Sequence, residues 1–240
     1  MTILKIDTVS YQYNTLQENV LQQITTSFEK GKFYAIIGKS GAGKSTLLSL
    51  LAGLDTPTKG KILFENQDIA EKGYNHHRSK QISLVFQNYN LIDYLTPLEN
   101  VRLVNPHADK EILLRLGLSE KEIHRNVMRL SGGQQQRVAI ARALASKAPI
   151  ILADEPTGNL DAATAMDIID ILITSAKEKK KCVIVVTHSK ELADQADVVL
   201  ELKNKNLVAL VICFCITIIT ANIDNKDFYI NLVEVTKKAK

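Results

Sequence analysis

The sequence predicts an α/β protein: a parallel sheet wound with helices, an antiparallel β-subdomain at the N-terminus and a short α-helical insertion. Three observations predict it. Short apolar runs at Phe33–Ile37, at 150–153 (I-I-L-A) and at 183–186 (V-I-V-V) each stop at glycine or polar residues, as strands buried on both faces do. Helical patterns alternate with those runs, which makes the strands parallel and the fold doubly wound, with ligands outside the carboxyl ends of the strands. Residues 88–130 carry no strong strand pattern and read as helices and loops inserted in the core.

Taken in order, residues 2–30 alternate loosely and are rich in β-branched types, which predicts short antiparallel strands joined by turns. After the strand at Phe33–Ile37, residues 45–52 form a helix stopped near Gly53 and Pro57. Residues 82–86 (I-S-L-V-F) are strand-like, residues 138–144 are helical, and 198–202 (V-V-L-E-L) is the expected last strand. These place one domain over residues 1–207, with a helical subdomain at about 88–145 and an atypical tail at 208–240. The apolar run 207–219 in that tail would span only about 20 Å as a helix, short of a hydrocarbon core of about 30 Å, so no membrane anchor is expected. No role is assigned to the tail.

The chain has 240 residues, 45% hydrophobic and 23% charged, with a net charge of +4, which suits a globular domain with a sizeable core. Its lysine runs, Lys179 to Lys181 and Lys237 with Lys238, have no aromatic residues among them, so no nucleic-acid partner is expected. Three cysteines, Cys182, Cys213 and Cys215, are too few and too awkwardly spaced for a disulfide framework or a zinc site. The N-terminus lacks the pattern of a secretory signal, and the first 200 residues hold no candidate membrane span. A cytoplasmic location is the expectation.

Gly38, Lys39, Ser40, Gly41, Ala42, Gly43, Lys44 and Ser45 match the G-x-x-x-x-G-K-[ST] pattern between a strand and a helix, which marks a phosphate-binding loop of a P-loop NTPase core. The glycines let successive amide N–H groups point at an anion, and the helix entered at Ser45 and Thr46 adds its positive end. Lys44 is a point cation for β- and γ-phosphates, and the Ser45 hydroxyl is a hard ligand for Mg²⁺. Asp154 and Glu155 follow the run 150–153. Asp154 is placed to hold Mg²⁺ and Glu155 to orient and deprotonate an attacking water. His188 follows another such run and, if the two strands are neighbours, reaches the γ-phosphate. Gln87 ends the run 82–86 and is able to touch both Mg²⁺ and water. Ser131, Gly132, Gly133 and Gln134 precede a helix and read as a second anion-binding helix start. One chain with one nucleotide needs only one cradle, so the second is expected to serve a partner's ATP in a head-to-tail homodimer.

The order of these motifs, with Gly158, Asn159, Leu160 and Asp161 after Glu155 and Thr187 before His188, resembles the ATP-binding cassette (ABC) family over about residues 3–207. The resemblance implies an ABC ATPase domain that binds and hydrolyses ATP with Mg²⁺. It makes Gln87 the Q-loop glutamine, Asp161 the D-loop aspartate that touches the opposite subunit and His188 the switch histidine. It also implies an aromatic residue stacked on adenine about 25 residues before the phosphate loop. Tyr13 stands 25 before Gly38, with Tyr11 as the rival. The segments around 85–101 and 154–161 resemble ATPases of the macrolide-export and lipoprotein-release type, and more closely small Gram-positive peptide-export or antimicrobial-peptide-resistance ATPases such as the Vex system's. These imply an ATPase peripheral to the cytoplasmic face of the membrane, energising export of a peptide, lipid-like or antimicrobial compound through a separate permease. An importer ATPase and a soluble non-transport ATPase are the alternatives.

The insertion is short: 44 positions separate Gln87 from Ser131. The permease is expected to dock near residues 88–100, bounded by Asn88 and Asn100, against exposed Tyr89, Leu91, Ile92 and Tyr94.

Overall fold

The computed structural model describes residues 1–13, 18–158 and 160–210. Alternation in β1 (Thr2–Tyr11) buries Leu4 and Ile6 and turns Lys5 and Asp7 away. Its partner β2 (Leu21–Glu29) runs antiparallel to it. Two strands absent from the sequence expectation complete this sheet, β4 (Lys59–Phe64) and β5 (Gln67–Asp68), in the order β2-β1-β4-β5. Between β4 and β5, Glu65 and Asn66 both hold positive φ, 48° and 65°, the geometry a tight two-residue hairpin requires.

The second sheet has the order β10-β9-β3-β8-β7-β6. It comprises β3 (Phe33–Ile37), β6 (Ile82–Val85), β7 (Ile150–Asp154), β8 (Cys182–Val186), β9 (Val198–Lys203) and β10 (Asn206–Leu210). All its pairings are parallel except that of β9 with β10. β10 carries the described sheet to Leu210, three residues beyond the expected domain boundary at 207. Residues 211–240, where most of the tail falls, lie outside the described residues, as does Asn159.

Period-two alternation divides the core between the two faces of this sheet. Tyr34, Ile36, Leu152, Ile184 and Val186 pack with Leu47, Leu50 and Leu51 and with the antiparallel sheet. Phe33, Ala35, Ile151, Ala153, Val183 and Val185 face the opposite way, against Val138, Ile168, Ile169 and Leu172. Each fully buried aliphatic side chain contributes about 1.5–3 kcal/mol, and a one-residue slip would reverse every face at once. The register that fixes the site is therefore strongly specified.

The helices are α1 (Lys44–Leu51), α2 (Tyr74–His76, leading into a π-helical turn at His77–Gln81), α3 (Pro97–Arg102), α4 (Glu111–Arg115), α5 (Glu120–Ile123), α6 (Gly132–Ala145), α7 (Ala162–Lys177) and α8 (Lys190–Asp194). The described residues of 88–145 hold helices and no strand. Three of their helices open on capping boxes: Thr96 with Glu99, Ser119 with Glu122 and Ser131 with Gln134. Each satisfies two backbone donors at a helix start. No described helix is long and apolar enough to cross a membrane.

Candidate functional site

Strand order decides which side chains meet. β8 lies between β3 and β7, and β6 flanks β7. Ile36 pairs with Val186, which also pairs with Asp154. The segments leaving these strands therefore stand side by side along one edge: the loop from Gly38, then His188, then Asp154 with Glu155, then Gln87. A cleft of about 720 Å³ opens there, lined by Tyr13, Ser40, Gly41, Gly43, Lys44, Ser45, Thr46, Gln87, Asp154, Glu155 and His188. Gly158, Val186 and Val20 complete its wall, and of these sequence reasoning did not single out Val20.

The loop at Gly38 needs glycine for space: a Cβ there would lie 2.6 Å from the Leu202 carbonyl oxygen of β9, closer than real Cβ contacts come. Lys44, only 7% exposed, turns its ammonium back onto the loop. Nζ donates to the Gly38 and Lys39 carbonyls at 2.9 and 3.1 Å and lies 3.1 Å from His188 Nε2. An ammonium only donates, so His188 Nε2 accepts, and from that chemistry we assign the ring proton to Nδ1. Burial pushes the Lys44 ammonium below its ordinary pKa, against the opposing pull of Glu155 and Asp154.

Glu155 is held by the strand next door. Its Oε2 accepts from the Thr187 hydroxyl at 3.4 Å and the His188 N–H at 3.2 Å, while its own N–H donates to the Val186 carbonyl. Oε1 is buried without a hydrogen-bond partner and stands 3.5 Å from His188 Nε2. Its backbone is left-handed, with φ 47°, a conformation costly for a residue bearing a Cβ. A strained, well-oriented carboxylate at the cleft wall, with one oxygen free of any hydrogen bond, is fit to receive a proton from a water held against it.

Ser45, Gln87 and Asp154 supply hard oxygen donors to one cleft. That set, with a single carboxylate ligand, fits Mg²⁺, which keeps much of its coordination for waters and phosphate oxygens.

Tyr13 and Tyr11 divide in environment. Tyr13 is 39% exposed at the cleft and its hydroxyl lies 2.9 Å from Thr46 Oγ1, whereas Tyr11 is buried at 8%. The rings meet edge to face with centroids 5.0 Å apart.

Lys39 and Ala42 belong to the same loop, away from the cleft lining. Ser131, Gly132, Gly133, Gln134 and Asp161 do not line this cleft either. Ser131 caps α6: its Oγ accepts from the Gln134 N–H at 3.3 Å, and Gln134 Oε1 accepts from the Ser131 N–H at 2.9 Å. Gly132 and Gly133 serve close approach, since added Cβ atoms would lie 3.1 Å from the Tyr89 hydroxyl and 3.2 Å from Leu160 Cδ2. Asp161 caps α7, accepting from the Thr164 N–H at 3.0 Å, and that hydrogen bond holds its carboxyl below the usual range.

The expected docking segment requires a correction. Of the four side chains expected to be exposed, only Tyr94 is, at 81%. Tyr89, Leu91 and Ile92 are half-buried, Leu91 packs on the core, and the Asn100 side chain clips both backbone groups of Ile92. Apolar type alone did not reveal that Asn100, wholly buried, folds the segment back on itself.

The chain is similar to known proteins over most of its length. Residues 21–158 match the family model described as ABC transporter. The uncharacterized ABC transporter ATP-binding protein YclH of Bacillus subtilis is 41% identical, over 82% of this chain and 92% of that one. The lipoprotein-releasing system ATP-binding protein LolD of Aquifex aeolicus is 42% identical, over 79% of this chain and 89% of that one. Among solved structures, the dimeric post-hydrolysis state of the ATP-binding cassette MJ0796 bound to ADP and Pi superposes with a TM-score of 0.78 at 35% identity, covering 85% of this chain and 96% of that one.

Proposed function

The chain belongs to the ABC transporter family, as an ATP-hydrolysing subunit of the export type, and from that premise we propose how its residues divide the work. Lys44 exchanges the Gly38 and Lys39 carbonyls and His188 for the β- and γ-phosphates of ATP, while loop amides from Gly38 to Thr46 enclose the same anion. Tyr13 stacks on the adenine. Ser45, Gln87 and Asp154 would hold Mg²⁺, which neutralises phosphate charge when bound. Glu155 orients a water and takes its proton at Oε1 as the water oxygen attacks the γ-phosphorus. The bond to the β-phosphate oxygen breaks, leaving ADP and inorganic phosphate. His188, released from Lys44, turns a ring N–H toward the transferring group.

The second anion-binding start, Ser131 to Gln134, closes over the nucleotide of a second copy, and Asp161 meets that copy across the interface. Glu155 lining the cleft with Lys44 and His188, its buried Oε1 without a hydrogen-bond partner, is the observation that most supports this reading. The membrane permease docks near residues 88–100, with Tyr94 the exposed anchor. Held there, the chain is peripheral to the cytoplasmic face, and the exported compound is a peptide, a lipid-like molecule or an antimicrobial agent.

Glu155→Gln tests the assignment. The variant should bind ATP, accumulate as an ATP-dependent dimer in light scattering, and release phosphate at least about a hundredfold more slowly. Phosphate release at the wild-type rate would refute the role given to Glu155.

A further inference from the structure

Immediately after Gln87 the backbone does something costly. Tyr89 and Asn90 both sit in the left-handed region, with φ 58° and 46°, and consecutive strained residues persist only where their surroundings over-determine them. The surroundings here include one side chain from another element. Arg142, in the last turn of α6, donates from one guanidinium nitrogen to the Asn90 carbonyl at 2.6 Å and from the other to the Tyr89 carbonyl at 3.0 Å. At the opposite end of α6, the Tyr89 hydroxyl abuts Gly132. The turn is thus gripped by the helix that begins at Ser131.

We propose that Arg142 is a positioning residue for Gln87: its forked grip on the Tyr89 and Asn90 carbonyls sets where Gln87 enters the cleft and ties that position to the helix capped by Ser131. The inference rests on the role given to Gln87 above. A planar fork suits two neighbouring carbonyls in a way a lysine ammonium, a point charge, does not.

The full chain carrying Arg142→Lys tests it, with steady-state ATPase measured against both ATP and Mg²⁺. The expected result is a kcat about tenfold lower and a raised Mg²⁺ requirement, with KM for ATP held within about twofold and melting within about 3 °C of wild type. Adding Asn90→Gly, which adopts the left-handed conformation without help, should restore most of the lost kcat. Wild-type kcat in Arg142→Lys overturns the proposal. So does a loss that follows KM and melting together and survives Asn90→Gly. Failure of the wild-type chain to hydrolyse ATP, measured first, would instead refute the function on which the proposal rests.

Discussion

A single tyrosine shows how far residue identity reaches. Tyr13 and Tyr11 are chemically the same, yet one borders the cleft and the other belongs to the core. Base-on-ring stacking is worth about 1–3 kcal/mol, so Tyr13→Ala should raise KM for ATP by roughly fivefold to a hundredfold with kcat nearly kept, and Tyr13→Phe should change little. Equal KM for wild type and Tyr13→Ala would remove Tyr13 from the adenine site. At this scale the sequence was most informative where chemistry is written contiguously: Lys44 and Ser45 in a glycine-rich loop, Asp154 and Glu155 after an apolar run. It was silent on Arg142, whose partners Tyr89 and Asn90 lie more than fifty residues away, and on the left-handed backbone of Glu155, which no residue type in that position announces.

Elements were legible in proportion to their burial. β3, β7 and β8, covered on both faces, appear as plain apolar runs, whereas β4, with burial confined mainly to Ile62, has no such run and was missed. A charge near the start of β8 shows what the interior costs an element. Lys181 is 8% exposed and donates to the Ser146 and Ala148 carbonyls at 2.8 and 2.5 Å, just past the end of α6. Burial first, and then nearby Lys179, push its pKa down to about 8 from an ordinary 10.5. Between those values the unfolded chain holds more of this proton than the folded one, so stability rises with pH across the window, by about 1 kcal/mol per unit. Below about 8 both states are charged and the penalty is constant. Lys181→Met, which also gives up the two carbonyl contacts, should lose that rise. Chemical denaturation at a series of pH values from 8 to 10 checks it: an unchanged slope in the variant would show that the rise belongs to other groups.

For the whole molecule, separation is the informative fact: Ser131 and its neighbours lie away from the cleft that their chemistry would serve. Two defective chains should therefore complement each other. A Lys44→Ala chain lacks a working cradle but keeps Ser131, and a Ser131→Arg chain has the opposite defect. Each alone should be inactive, while their mixture should recover ATPase activity through mixed dimers that hold one complete site. A mixture as inactive as its parts would refute a site shared between copies. The molecule also bears the conformational cost of φ 47° at Glu155. Glycine would occupy that backbone at lower energy, by about 1 kcal/mol or more, a gain opposed by glycine's greater freedom in the unfolded chain and by the loss of the carboxylate's hydrogen bonds with Thr187 and His188. The backbone at this position thus stands at odds with the carboxylate that the chemistry requires, and the demand for turnover is what keeps the two together.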